Sequence, residues 1–448
     1  MLACEHEKEP FGEPLCSHLR TCKEPWVKFV KWYVGSGLKL EVICVPCAEA
    51  REKGLSTETA PVCRECFEYA TTEVMDFERT GGRPEIRIQP TTLKTTVEKA
   101  AIPAKLGKIV DVAPINMDSR SAWLILSEHG RIFRFDASSG ESTDVASIKL
   151  PSEVATTPFA GHVLAPHLHA SEQGEFASVV SDYGRYGQVI DLQTGKVTLK
   201  LDGGDYHPET VPFSFAFVRW QGSVVVIHRT AWNRLDVSDA STGQLLSDRN
   251  PTSYRQGEER PQHYLDYFHG GLYLSPSGKH ILDDGWVWHP VGIPVIWSID
   301  CWLTANAWES EDGPTRKEVC ARSYYWDHGI AWLDDEKLAI AGIGDDDAEM
   351  IDGVRIFDIT STGSPGRQWR SDWLWRQEIT KFAGPAGKFF STKDRLYSSA
   401  EDGLSMWDVG VGARTGHIAN FRPTHHHRSA RELVQLSDDA LIRWSMAE

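Results

Sequence analysis

The stretch Trp123-Leu-Ile-Leu-Ser-Glu-His-Gly130, continuing as Arg131-Ile-Phe-Arg-Phe-Asp136 and closing on Ser139-Gly140, reads as a strand, a tight turn, a second strand ending aromatic-Asp, and a second turn. The phrase returns as Gly187-Gln-Val-Ile-Asp191 with Thr194-Gly195, and as Leu235-Asp236-Val237 with Thr242-Gly243. Further copies are Ile293-Pro-Val-Ile-Trp297, Gly353-Val-Arg-Ile-Phe-Asp358, Gly403-Leu-Ser-Met-Trp-Asp408 and Ala440-Leu-Ile-Arg-Trp444. The matching positions 135, 190, 235, 297, 357, 407 and 444 are 55, 45, 62, 60, 50 and 37 residues apart. A unit of four short strands takes roughly 40 to 50 residues, and longer intervals absorb loops. Seven units are therefore expected. Six or eight stay open, because the fourth copy, with Trp286-Val-Trp288 and Trp297, is irregular.

The run Ser398-Ser-Ala-Glu-Asp-Gly403 with Met406-Trp407-Asp408 resembles the WD-repeat and related seven-bladed β-propeller superfamily. The resemblance spans roughly residues 84–448 and is architectural. Gly-His occurs at Gly161-His162 and Gly416-His417 without regularity, and Trp-Asp stands at the expected strand end once. It implies a mainly β fold, a seven-bladed β-propeller, and transfers no partner or activity. Glu85-Ile-Arg-Ile-Gln89, running on toward Val97, alternates like a strand, and the last repeat lacks an outer strand. An unpaired edge invites aggregation, so the 85–97 segment is expected to complete the last blade. Gly81-Gly-Arg-Pro84 marks a hinge between a 1–83 domain and an 84–448 domain.

The 1–83 domain is rich in Cys and His. Cys4 and His6, Cys16 and His18, Cys44 and Cys47, and Cys63 and Cys66 form four close pairs, and seven of the nine cysteines lie in the first 66 residues. Zinc takes four thiolate or imidazole ligands, and a structural site is closed by protein alone. Four pairs therefore predict a small zinc-binding α+β domain with two structural Zn2+ ions. The spacings Cys44-Val-Pro-Cys47 and Cys63-Arg-Glu-Cys66 are those of zinc knuckles. On an extended strand, Cys-x-His would project both ligands from one face. The pairs can be joined sequentially, or crossed as in RING-type modules, and Cys22 is a reserve ligand. A helix over Cys47–Lys53 with Gly54 as its stop follows the first knuckle, an arrangement similar to treble-clef modules. Trp26, Phe29 and Trp32 read as one buried helical stripe.

With no apolar leader after Met1, a cytoplasmic, reducing location is expected. The net charge of −16 works against a phosphate backbone, so no nucleic-acid partner is expected. No stretch approaches the roughly twenty apolar residues of a membrane span, so no membrane partner is expected either. Nucleophile-elbow, phosphate-loop and His-Glu-x-x-His motifs are absent. His167, His169, His207, His228, His263, His269 and His328 are the candidates for a propeller-type hydrolase or lyase site at a central channel. Gly344-Asp-Asp-Asp-Ala-Glu349 reads as a solvated turn, and Thr424-His-His-His-Arg428 as a surface loop in which only His425 and His427 share a face. The function expected first is a non-enzymatic protein-interaction scaffold. Its anchors would be the aromatics of Ser323-Tyr-Tyr-Trp-Asp327 and Trp369-Arg-Ser-Asp-Trp-Leu-Trp375.

Overall fold

The computed structural model describes residues 10, 12–21, 29–34, 39–71, 86–89, 96–117, 120–149, 153, 161–250, 254, 257–288, 290–360 and 378–446. The amino-terminal module runs β1 (Leu15–Cys16), α1 (Ser17–Thr21), β2 (Phe29–Val34), β3 (Lys39–Cys44), α2 (Val45–Glu52), β4 (Thr59–Ala60) and α3 (Arg64–Thr71). Its sheet has the order β2-β3-β1-β4, with β1 parallel to β3 and antiparallel to β4. Phe29 and Trp32 lie on strand β2, which replaces the expected helical stripe; Trp26 lies outside the described residues. Pro46 sits in the first turn of α2, where a missing N–H costs nothing, and Gly54 follows its end at φ 77°.

Two short strands follow, β5 (Arg87–Ile88) and β6 (Glu98–Ala101), and then the chain is mainly β. Among the described residues it forms seven successive antiparallel meanders. The first is β7–β10 (Ile109–Met117, Arg120–Ser127, Arg131–Asp136, Ser142–Ser147), and the second is β11–β14 (Ala165–Ala170, Phe176–Asp182, Tyr186–Asp191, Lys196–Asp202). The third is β15–β17 (Phe215–Trp220, Ser223–Ala231, Arg234–Asp239), extended by one bridge between Ser238 and Leu245. The fourth is β18–β22 (Phe268–Leu274, His280–Val287, Val291–Ser298, Lys317–Glu318, Arg322–Ser323). The fifth is β23–β26 (Ile330–Trp332, Lys337–Ile343, Ile351–Asp358, Glu378–Ala383). The sixth is β27–β30 (Lys388–Thr392, Arg395–Ala400, Gly403–Asp408, Ala413–Ala419), and the seventh is β31–β33 (His425–His427, Glu432–Ser437, Ala440–Ser445). Phe135, Ile190, Leu235, Trp297, Phe357, Trp407 and Trp444 all fall in the third strand of their sheets. The long interval around the fourth copy is filled by α4 (Ile299–Thr304) and α5 (Glu309–Asp312), inserted between its third and fourth strands.

Successive side chains on a strand face opposite ways, and here both faces are buried. Trp123 and Ile125 pack with Val434 and Leu441 of the seventh sheet, whereas Leu124 and Leu126 pack with Leu168 and Val179 of the second. Equivalent clusters join second to third, third to fourth, fourth to fifth, fifth to sixth and sixth to seventh. The cluster between seventh and first makes the series cyclic. Polar contacts reinforce that seam: the Trp123 indole donates to Ser121 Oγ (3.1 Å), and Ser121 donates to Glu432 (2.6 Å), all buried.

The strand that completes the seventh sheet is β6, pairing antiparallel with β33 from Ala101 opposite Ala440 to Glu98 opposite Arg443. Of the expected segment 85–97, the described Arg87–Ile88 pairs instead in parallel with β30 of the sixth sheet. The reason lies downstream. Ile102 and Leu106 are buried in the core between seventh and first sheets, so the residues just before them are drawn into register, whereas Ile86, Ile88 and Val97 stay exposed.

The recurring Asp is a turn device. Asp136 Oδ1 accepts from the N–H groups of Ser138 and Ser139, Asp191 from Gln193 and Thr194, and Asp239 from Ser241 and Thr242. Four residues on, Gly140, Gly195, Gly243 and Gly412 adopt φ between 62° and 75° and donate back to the carbonyls of Asp136, Asp191, Asp239 and Asp408. Only glycine holds that left-handed conformation without a Cβ penalty.

Candidate metal centre, ring axis and aromatic face

Cys16 ends strand β1 and His18 lies in α1; Cys44 ends strand β3 and Cys47 lies in the first turn of α2. Because β1 and β3 run parallel, Leu15 opposite Val42, both strand-to-helix junctions open at the same edge of the sheet. One ligand-bearing atom from each of the four residues lies within 4.8 Å of every other. His18 Nδ1 stands 3.1 Å from Cys47 Sγ and 3.6 Å from Cys44 Sγ, and the Cys44 N–H donates to Cys16 Sγ at 3.3 Å. A tetrahedral zinc with bonds of about 2.1 to 2.3 Å sets its ligands about 3.5 to 3.8 Å apart. The cluster is consistent with such a site. Its three sulfurs are buried, and His18 is exposed.

The pairing is thus second pair with third, neither the sequential nor the crossed arrangement. Cys16-Ser-His18 straddles a strand end and a helix start, where an extended strand was expected. Hydrogen bonding with the Cys44 thiol pulls Cys16 down to about 5, and the same contact pushes Cys44 up. Burial pushes Cys47 up. Packed thiols share protons in this way because neighbouring thiolates repel, and a cation relieves that repulsion. Cys63 is buried immediately before α3 and Cys66 lies within it. Cys4, His6 and Cys22 lie outside the described residues.

A cavity of about 1150 Å³ follows the ring axis and is lined by the first strand of every one of the seven sheets, through Asn116, Ala170, Arg219, Tyr273, Ile330, Phe390 and His426. Beside it, the β12–β13 turn of the second sheet meets the connection between the fourth and fifth sheets. Tyr183 Oη donates to Asp327, and the His162 ring stacks on Tyr183 at 4.5 Å. Tyr183 and Asp327 hold φ of 57° and 58°, uncommon for residues with a Cβ.

The candidate histidines are positioned by carboxylates and rings. His167 bonds Asp182 at 2.8 Å and lies 3.8 Å from Asp111, which also takes a 2.8 Å bond from His425. Burial disfavours the charged His167 ring, but the two carboxylates outweigh it and raise its pKa to about 9. His169, its ring tilted against that of His167 at 4.4 Å, is driven down to about 3 by burial and then by its charged neighbour. His269 is buried against Asp283 (2.5 Å), His263 pairs with Asp312 (2.9 Å), and His207 pairs with Glu209 (3.1 Å). His228 bonds Ser238 (3.0 Å), and His328 stacks on Tyr325. Among the described residues only the Cys16–His18–Cys44–Cys47 group brings three or more ligands within metal reach.

The acidic run 344–349 is a turn in which Asp346 caps the Ala348 N–H. The triple histidine is strand β31, the first strand of the seventh sheet, and not a surface loop. His425 and His427 face Trp123, while His426 faces Phe390, the alternation expected of a strand.

The first of the two aromatic runs divides between core and surface. Trp326 is buried and stacks on Trp286, its indole bonded to the Thr210 carbonyl, whereas Tyr324 is 62% exposed. The 369–375 segment lies outside the described residues. A two-layer face is built on the third and fourth sheets. Below, Phe268 and Trp286 are buried and stacked at 4.2 Å. Above them sit Tyr206 (45% exposed) and Trp288 (43%), with Trp232, Tyr264 and Tyr254 (41%) continuing the patch. Tyr206 falls in the connection between the second and third sheets and Trp288 in the turn after β19, outside the repeated strand pattern.

No known family model matches the chain, and no curated protein is similar to it. Among the described residues no helix is long and apolar enough to cross a membrane.

Proposed function

We propose that the chain is a non-enzymatic protein-interaction scaffold, a WD-repeat-like seven-bladed β-propeller joined to a module stabilised by structural zinc. The cyclic succession of inter-sheet cores, with β6 lending a strand to the last sheet, supports the propeller reading. Cys16, His18, Cys44 and Cys47 would hold one Zn2+, and Cys4, His6, Cys63 and Cys66 remain as the ligand set for a second. The observation that carries the interaction role is the exposed pair Tyr206 and Trp288 resting on the buried, stacked Phe268 and Trp286, with Tyr254 extending the patch through Tyr264. Large rings held rigidly at a surface lose little entropy on docking and dominate protein interfaces. The histidines near the axis are held by carboxylates, rings or hydroxyls, so structural roles account for them without a reaction.

The test is affinity capture from native cells with the intact chain and with Tyr206→Ala/Trp288→Ala, folding being checked by circular dichroism. A partner recovered reproducibly by the former and lost by the latter supports the reading. Partners retained in full by the folded double variant overturn the assignment of this face.

A further inference from the structure

We propose that the Tyr206–Trp288–Tyr254 face takes a cationic segment of its partner, with arginine or lysine side chains laid over the exposed rings. This rests on the scaffold reading and adds the chemistry of the occupant. Charge complementarity points to it. Asp205, exposed at 86% and only loosely paired with Arg185 at 3.8 Å, directly precedes Tyr206, while Asp266 is exposed and exposed Glu259 adjoins Arg260 at the tyrosine end of the patch. The Tyr264 hydroxyl is raised first by burial and further by the charge of Asp266, with Arg260 opposing. On the opposing side, Arg185 is engaged by Asp202 at 2.6 Å, and His207 is engaged by Glu209. Arg260 already lies over Tyr264, its guanidinium carbon 4.4 Å from the ring centroid, so the patch accommodates a cation on a ring within the chain itself. Tryptophan is the strongest cation acceptor among the aromatics, and Trp288 is the exposed one here. The net charge of −16 steers a basic segment toward the molecule and keeps an acidic one away.

The experiment uses the full chain and three fluorescein-labelled synthetic peptides of equal length and equal leucine content, with Arg/Lys, Asp/Glu or Ser/Gly at the remaining positions, read by fluorescence anisotropy. The Arg/Lys peptide is expected to bind at least about tenfold more tightly than the other two, and to weaken as salt rises from about 0.05 M to about 0.5 M. Tyr206→Ala/Trp288→Ala and Asp205→Lys/Asp266→Lys should each lose at least about tenfold. Asp438→Lys/Asp439→Lys, a charge-matched change on the seventh sheet, should not. Equal binding of the neutral or acidic peptide, no binding of the basic one, or equal loss in the Asp438/Asp439 variant overturns the proposal. If captured partners still depend on Tyr206 and Trp288 while the basic peptide shows no preference, the scaffold stands and only the cationic occupant falls.

Discussion

Replacing Cys44 with serine should release a metal ion and unfold the amino-terminal module while leaving the ring of sheets intact. Apart from its cysteines, the module's buried core is Leu15, Leu19, Val42, Ile43, Ala48 and Val62. At about 2 kcal/mol for a buried aliphatic side chain, these supply on the order of 10 kcal/mol, which is an upper estimate. A structural zinc supplies about 10 to 16 kcal/mol at neutral pH. The ion therefore matches the whole apolar core in size, and folded domains keep a margin of only about 5 to 15 kcal/mol. Losing one of three buried thiolates should leave the module open to protease. Zinc would be quantified colorimetrically after denaturation, on the wild type and Cys44→Ser, alongside limited proteolysis with fragments mapped by mass spectrometry. The expectation is two ions in the wild type, one fewer in the variant, and new cleavage confined to residues before Arg87. A zinc-free wild type with a resistant module, or unchanged stoichiometry in Cys44→Ser, would refute the reasoning.

Three further outcomes are expected. Leu106→Ala, in the core between seventh and first sheets, should cost about 2 to 5 kcal/mol, and Ile88→Gly, on an exposed two-residue strand, less than about 0.5 kcal/mol; equal shifts in urea melts would contradict the closure by β6. Asp239→Ala removes an oxygen that accepts from Ser241 and Thr242 through both N–H and hydroxyl, and should cost about 1 to 2 kcal/mol by the same melts. The folded pKa of His167 is near 9 against an ordinary 6.5, so its stabilisation is complete below about pH 6.5 and lost as pH rises through about 9. Because the side chain is 41% exposed, solvent screens part of the effect. Thermal melts of the wild type should fall across that window more steeply than those of His167→Gln, and parallel curves would remove His167 as the cause.

The period and count of the sheets were legible because each third strand repeats an aromatic or aliphatic residue, in five of the seven near a turn Asp, as in Phe135-Asp136 and Trp407-Asp408. That pairing is a local requirement of a buried strand and a capped turn, so it is written in local sequence. Which segment would complete the last sheet was not legible, because Glu85-Ile-Arg-Ile-Gln89 alternates like a strand whereas Glu98-Lys-Ala-Ala101 does not. The choice is made by Ile102 and Leu106 burying against the first sheet. Similarly, ligand spacing named Cys16, His18, Cys44 and Cys47, but their grouping follows from the parallel pairing of β1 with β3, a contact between residues 27 apart at Leu15 and Val42. The aromatic face was missed because the ring contacts of Tyr206 with Trp232 and Trp288 join an inter-sheet connection to two hairpin turns and leave no spacing along the chain.

The partnership of Glu98–Ala101 with Ala440–Ser445 sets an order on biogenesis. The earlier strand leaves the ribosome more than three hundred residues before its partner exists, so during most of translation both flanks of the growing array present unsatisfied backbone. Synthesis of Ala440–Ser445 is the moment at which the nascent chain sheds that exposure, and a stall before it would leave a species prone to capture by chaperones or by another nascent chain.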